Sequence, residues 1–94
     1  MLHPKTVLVR IEGRVQGVYF RKWTLETASQ LGLNGWVRNR HDGSVEAVFS
    51  GVTQIVDQML SACWQGSPAS HVTAVKAELS HEHHEPGFRQ LATA

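Results

Sequence analysis

Between a stretch with the period of a strand and one with the period of a helix lies the run Gly13-Arg14-Val15-Gln16-Gly17-Val18-Tyr19-Phe20-Arg21. This join constrains the fold more than any other feature. Upstream, Val7, Val9 and Ile11 alternate within Thr6 to Glu12, the signature of a half-buried strand. Downstream, Phe20, Trp23, Thr27, Ala28 and Leu31 recur at helical spacing, and Gly32 is placed to end the helix. Glycines at 13 and 17 permit a tight turn at positive φ, where a Cβ would clash. The helix opens without Ser, Thr, Asp or Asn beside its first turn, so its orphan N–H groups lack a side-chain cap. An anion at the helix N-terminus meets that need. Arg21 would add a permanent positive charge and a planar fork matched to phosphate oxygens. A plain strand-to-helix turn with a solvated arginine accounts for the same residues, and this run alone does not separate the two readings.

The remaining chain repeats the pattern. Asn34-Gly35 restarts it into Trp36-Val37-Arg38, and Asp42-Gly43 is a turn signal followed by alternating Val45, Ala47 and Phe49. A second helix carries Val52, Ile55, Val56, Met59, Leu60 and Cys63 as an apolar stripe, broken at Gly66-Ser67-Pro68. Val72 to Leu79 alternates again, with Val75, Ala77 and Leu79 expected inward, and Phe88 to Leu91 is a short candidate strand. The order β-α-β-β-α-β predicts an α+β, ferredoxin-like fold, with a mainly antiparallel sheet covered on one face by two helices. In that topology the first turn and the end of the second strand can lie close together.

Size and charge narrow the function. The 94 residues are read as one domain spanning residues 1–94. With 41% apolar and 18% charged residues, the composition is that of a globular chain. A net charge of +1 argues against a general nucleic-acid or membrane-surface binder, so any anion binding must be local. Cys63 is a lone cysteine, expected as a buried helical thiol and not as a nucleophile. No segment reaches the roughly 20 apolar residues of a membrane span, and the start lacks an apolar signal core. A cytoplasmic monomer is the expectation. His81-Glu82-His83-His84-Glu85 is rich in metal-ligating side chains, but alternation in an extended chain sends neighbours to opposite faces. It is expected as a solvated loop, with no dedicated metal and no cofactor.

Asn39 closes the run Gly35-Trp36-Val37-Arg38-Asn39 just before the Asp42-Gly43 turn. It reads either as a turn asparagine or as a fixed amide beside the glycine-containing loop, offering an acceptor and donors to a water molecule. Taken together, Ile11 to Arg21 and Gly35 to Asn39, with Gly43-Ser44-Val45 and Gly51 following, resemble the acylphosphatase family. The similarity runs from about Thr6 to Leu91. Arg40 departs from the family pattern, in which a threonine often follows the asparagine.

The resemblance implies hydrolysis of an acyl phosphate, a small-molecule substrate, to a carboxylate and inorganic phosphate. It implies that Arg21 and the backbone amides of Val15, Gln16, Gly17, Val18, Tyr19 and Phe20 hold the phosphate. Asn39 would orient the attacking water, with no metal required. Two other classes compete. A non-catalytic interaction domain would keep the fold without the activity. An RNA-binding sheet would need exposed aromatics on central strands and a basic surface. Trp36 and Phe49 are the strand aromatics on offer, without an RNP-like run.

Overall fold

The computed structural model describes residues 3–81 and 85–94. Seven elements follow in order: β1 (Pro4–Arg14), α1 (Phe20–Gln30), β2 (Asn34–Asn39), β3 (Val45–Val52), α2 (Thr53–Gln65), β4 (His71–Leu79) and β5 (Phe88–Gln90). The sheet order is β4-β1-β3-β2-β5. Every pairing is antiparallel except that of β2 with β5. This is the ferredoxin-like arrangement expected from the sequence, with a short parallel strand added at the β2 edge.

The core forms where the alternating face of the sheet meets the helical stripes. Val7, Val9 and Ile11 of β1, with Val45, Ala47 and Phe49 of β3, are buried on that face. Helix α2 sets Val56, Met59 and Cys63 against them, and α1 contributes Phe20, Thr24 and Ala28. Burying a side chain the size of Phe20 or Phe49 contributes about 1.5–3 kcal/mol. Phe49 also stacks on Phe88 at 5.6 Å between centroids, which fastens β5 to the sheet. With Phe49 wholly buried, it is unavailable as an exposed stacking surface for RNA. Burial of Cys63 pushes its thiol up to about 12.

Helix α1 ends as the sequence predicts. The amide of Gly32 donates to Ser29 O and that of Leu33 to Ala28 O, the two bonds of a Schellman motif. Gly32 sits at φ 72°, which a Cβ would disfavour. Thr24, a polar residue in the core, satisfies its hydroxyl by donating to Phe20 O at 2.8 Å.

One expectation fails on β4. Val75, Ala77 and Leu79 pair with Ile11, Val9 and Val7 and so share the helix-covered face, as predicted. Ala77 and Leu79 are nevertheless exposed, Leu79 at 73% of its surface. β4 is the edge strand, and residues 76–79 of its C-terminal half are all exposed.

The opposite face carries charge. Arg38 puts Nη2 2.7 Å from Glu46 Oε1, and Lys76 lies 3.2 Å from Glu12. A hollow of about 360 Å³ on that face is lined by Leu8, Arg10, Glu46 and Glu78 among others. No helix of the described residues is long and apolar enough to cross a membrane.

Candidate active site

The connection from β1 to α1 is shaped by which of its side chains are apolar. Val15, Val18 and Phe20 are buried, whereas Gly17 and Tyr19 are exposed. Anchoring those three side chains in the core leaves the backbone between them at the surface. Gly17 adopts φ 71° and Tyr19 φ 66°. Left-handed conformation at Tyr19 costs about 1–2 kcal/mol in a residue bearing a Cβ. Such strain persists where the surroundings over-determine it. Turns of this kind gather successive N–H groups into an anion-binding concavity. Among the described residues, the amides from Val15 to Phe20 have no backbone or side-chain acceptor.

Helix α1 starts directly from this turn. Tyr19 occupies its N-cap position without a side-chain hydrogen bond, and no acidic residue lies in the first turn. The positive end of the helix and its orphan donors therefore point into the same space as the loop. Arg21 is half-buried in that first turn, and its side chain has no ion pair or hydrogen bond among the described residues.

Asn39 enters the same cleft from the end of β2. Its main chain is fixed on both sides, paired with Val45 of β3 and accepting at its carbonyl from Ala94 N at 3.0 Å. Its Oδ1 is buried and has no hydrogen-bond partner. A buried amide oxygen in that condition is costly unless a polar group meets it.

The cleft holds about 240 Å³ and brings together Val15, Gly17, Phe20, Arg21 and Asn39. Gln16 and Val18 contribute backbone next to it, with the Gln16 side chain directed elsewhere and that of Val18 in the core. The strand end and the loop are thus neighbours, as the topology predicted. Lys22, Tyr19 and Gln90 complete the rim. Tyr19 donates its hydroxyl to Glu26 at 3.1 Å, and Lys22 Nζ lies 5.6 Å from the Tyr19 ring centroid. Sequence reasoning missed Lys22 and Gln90, since neither lies in a pattern that marks a site.

Two anchors hold the loop from behind and from the side. Ser67 Oγ, fully buried, donates to Val18 O at 2.8 Å. Gln16 Nε2 donates to Arg40 O at 2.7 Å and to Ser44 O at 2.8 Å. No group of three or more metal-ligating side chains occurs among the described residues. Within the histidine-rich stretch, residues 82–84 lie outside the described residues.

The acylphosphatase family model matches residues 7–90, a span that contains the loop, Arg21 and Asn39. The chain belongs to the acylphosphatase family. An acylphosphatase of Rhodospirillum rubrum is 52% identical over 86 residues, which are 92% of this chain and 94% of that protein. Among solved structures, an acylphosphatase from Coxiella burnetii superposes with a TM-score of 0.90 at 32% identity, covering 94% of this chain and 93% of that one. The acylphosphatase from Bacillus subtilis gives 0.87 at 33% identity, covering 95% and 99%. The chain is accordingly an enzyme of the acylphosphatase type, acting in general terms on acyl phosphates.

Proposed function

We propose that the cleft hydrolyses the carboxyl–phosphate bond of an acyl phosphate by in-line attack of water on phosphorus. Arg21 and the amides of residues 15–20 hold the phosphoryl oxygens, and Asn39 orients the water. The observation that carries this reading is the set of acceptor-free loop amides converging with an unpaired Arg21 on the cleft that Asn39 enters.

The chemistry asks little more of the protein. An acyl phosphate is a mixed anhydride whose leaving group is a carboxylate, so strong acid catalysis is less necessary than for a simple phosphate ester. Positioning and stabilisation of the shifting charge remain, as in other phosphoryl transfers. Water oxygen bonds to phosphorus while the bond from phosphorus to the acyl oxygen breaks. The acyl group leaves as carboxylate, and the water proton passes to a phosphate oxygen. Fixed N–H dipoles and the guanidinium act most strongly as charge moves in the transition state. Tyr19 and Lys22 at the rim would face the acyl group.

The test is hydrolysis of benzoyl phosphate, followed by ultraviolet absorbance in chelator-containing buffer. Loss of one such electrostatic donor costs about 10²–10³ in rate, so Arg21→Ala and Asn39→Ala are each expected to fall by that amount. Arg21→Lys restores little, because lysine lacks the planar fork. Turnover by Arg21→Ala near that of the wild type refutes the assignment.

A further inference from the structure

Gln16 stands in the loop, yet its side chain turns away from the cleft to the β2–β3 connection. One nitrogen, Nε2, donates to Arg40 O at 2.7 Å and to Ser44 O at 2.8 Å, residues 24 and 28 positions further on. A primary amide has two N–H groups, so both are used. Since both partners are carbonyls, only the nitrogen end of the amide satisfies them, and the orientation of the side chain is fixed by chemistry. The same two carbonyls close the turn itself, accepting from Gly43 N at 3.1 Å and Arg40 N at 2.8 Å. Arg40 directly follows Asn39, so these bonds end one residue from the amide that enters the cleft.

Building on the hydrolytic reading of the cleft, we propose that Gln16 is a positioning residue that sets the distance between the phosphate-holding loop and Asn39. The loop amides are held independently at Val18 by Ser67 and by the buried Val15 and Phe20. Without the Gln16 bridge the phosphate still binds, but the water held by Asn39 is no longer fixed in line with the bond that breaks. Misplacement by about 1 Å costs up to about 10²-fold in rate. The backbone amide at position 16 is unaffected by changes to its side chain, so binding and alignment separate in experiment.

The measurement compares the wild type with Gln16→Met and Gln16→Glu. It records kcat and KM for benzoyl phosphate, competitive inhibition by inorganic phosphate, and the thermal midpoint. Gln16→Met keeps the length and loses the donors; its kcat is expected to fall about 10–10²-fold while phosphate inhibition changes little. Gln16→Glu sets a carboxylate against two carbonyls at neutral pH. As pH drops through the ordinary glutamate range of about 4.3, the carboxyl gains a proton and can donate one hydrogen bond. Its kcat relative to wild type should therefore rise towards low pH, a recovery that Gln16→Met does not show. Unchanged kcat in Gln16→Met overturns the proposal, as does a matching loss of phosphate affinity, and so do flat and equal pH ratios for the two variants. An inactive wild type overturns the hydrolytic reading itself; an active wild type beside an unimpaired Gln16→Met overturns the positioning role alone.

Discussion

Ser67 offers a sharp test of how the loop is held, because it acts from inside the protein and touches nothing in the cleft. Its hydroxyl donates to Val18 O at 2.8 Å, with Ser67 itself 1% exposed. Ser67→Ala removes the donor and leaves a buried carbonyl without a partner. Stranding such a group costs about 1–3 kcal/mol, so about 2 kcal/mol is the central expectation. For a domain of this size each kcal/mol moves the midpoint by about 4–8 °C, which gives a fall of about 8–16 °C. Ser70→Ala is the control. Ser70 Oγ donates to Ser67 O at 2.7 Å, but Ser70 N donates to the same carbonyl at 3.0 Å. Losing that hydroxyl leaves the acceptor satisfied, so its effect should be much smaller. The assay is thermal unfolding by circular dichroism with and without inorganic phosphate. Binding to the native state raises the midpoint according to affinity, so a loosened loop in Ser67→Ala should also gain less from phosphate. If Ser67→Ala melts with the wild type, or no lower than Ser70→Ala, the buried bond does not hold the loop and the reasoning fails.

Asp42 accepts from Ser44 Oγ at 2.6 Å and from Ser44 N at 2.9 Å, and these bonds, with the charges of Arg10 and Arg40, hold its carboxyl below the ordinary 3.8. A depressed folded-state value stabilises above the unfolded value and is lost as pH falls through the folded one, so the urea-midpoint gap between wild type and Asp42→Ala should be full near neutrality and close below about pH 3.8; a gap constant with pH contradicts this. Cys63 is fully buried with its thiol raised to about 12, so a thiol reagent should modify it at the rate of unfolding, and fast labelling of the native protein would contradict its placement.

Periodicity made most of the fold legible, and its error on β4 shows where that signal stops. The alternation of β4 predicted correctly which side Ala77 and Leu79 take, since parity is a local property of an extended chain. Whether that side is covered depends on where α2 lies across the sheet, and nothing local to residues 77–79 encodes that. The site divides in the same way. Arg21 and the loop were readable because a glycine-containing turn feeding an uncapped helix is a local pattern. Asn39 could be placed beside them by topology and by family resemblance, but on residues alone its turn reading stood better. The bonds from Gln16 and Ser67 span 24, 28 and 49 positions. Gln16 therefore looked like a carrier of one more backbone amide, and Ser67 like part of a helix-breaking Gly-Ser-Pro.

The buried Ser67 bond and the core side chains of the loop explain why a strained, acceptor-free loop is tolerable. Left-handed Tyr19 and unpaired amides each cost free energy, and a loop free to relax would turn its N–H groups onto its own carbonyls. Relaxation here would require pulling Val15, Val18 or Phe20 from the core, or breaking the bond of Ser67. Burial of one such side chain contributes about 1.5–3 kcal/mol, comparable to the strain it offsets. Under the proposed mechanism, the core thus holds the dipoles in place before substrate arrives, so little reorganisation remains for the reaction step. It follows that the apolar identity of Val18 bears on catalysis as well as on folding. A polar residue there would draw the loop outward and let its amides find internal partners, weakening the site without altering any group that touches the substrate.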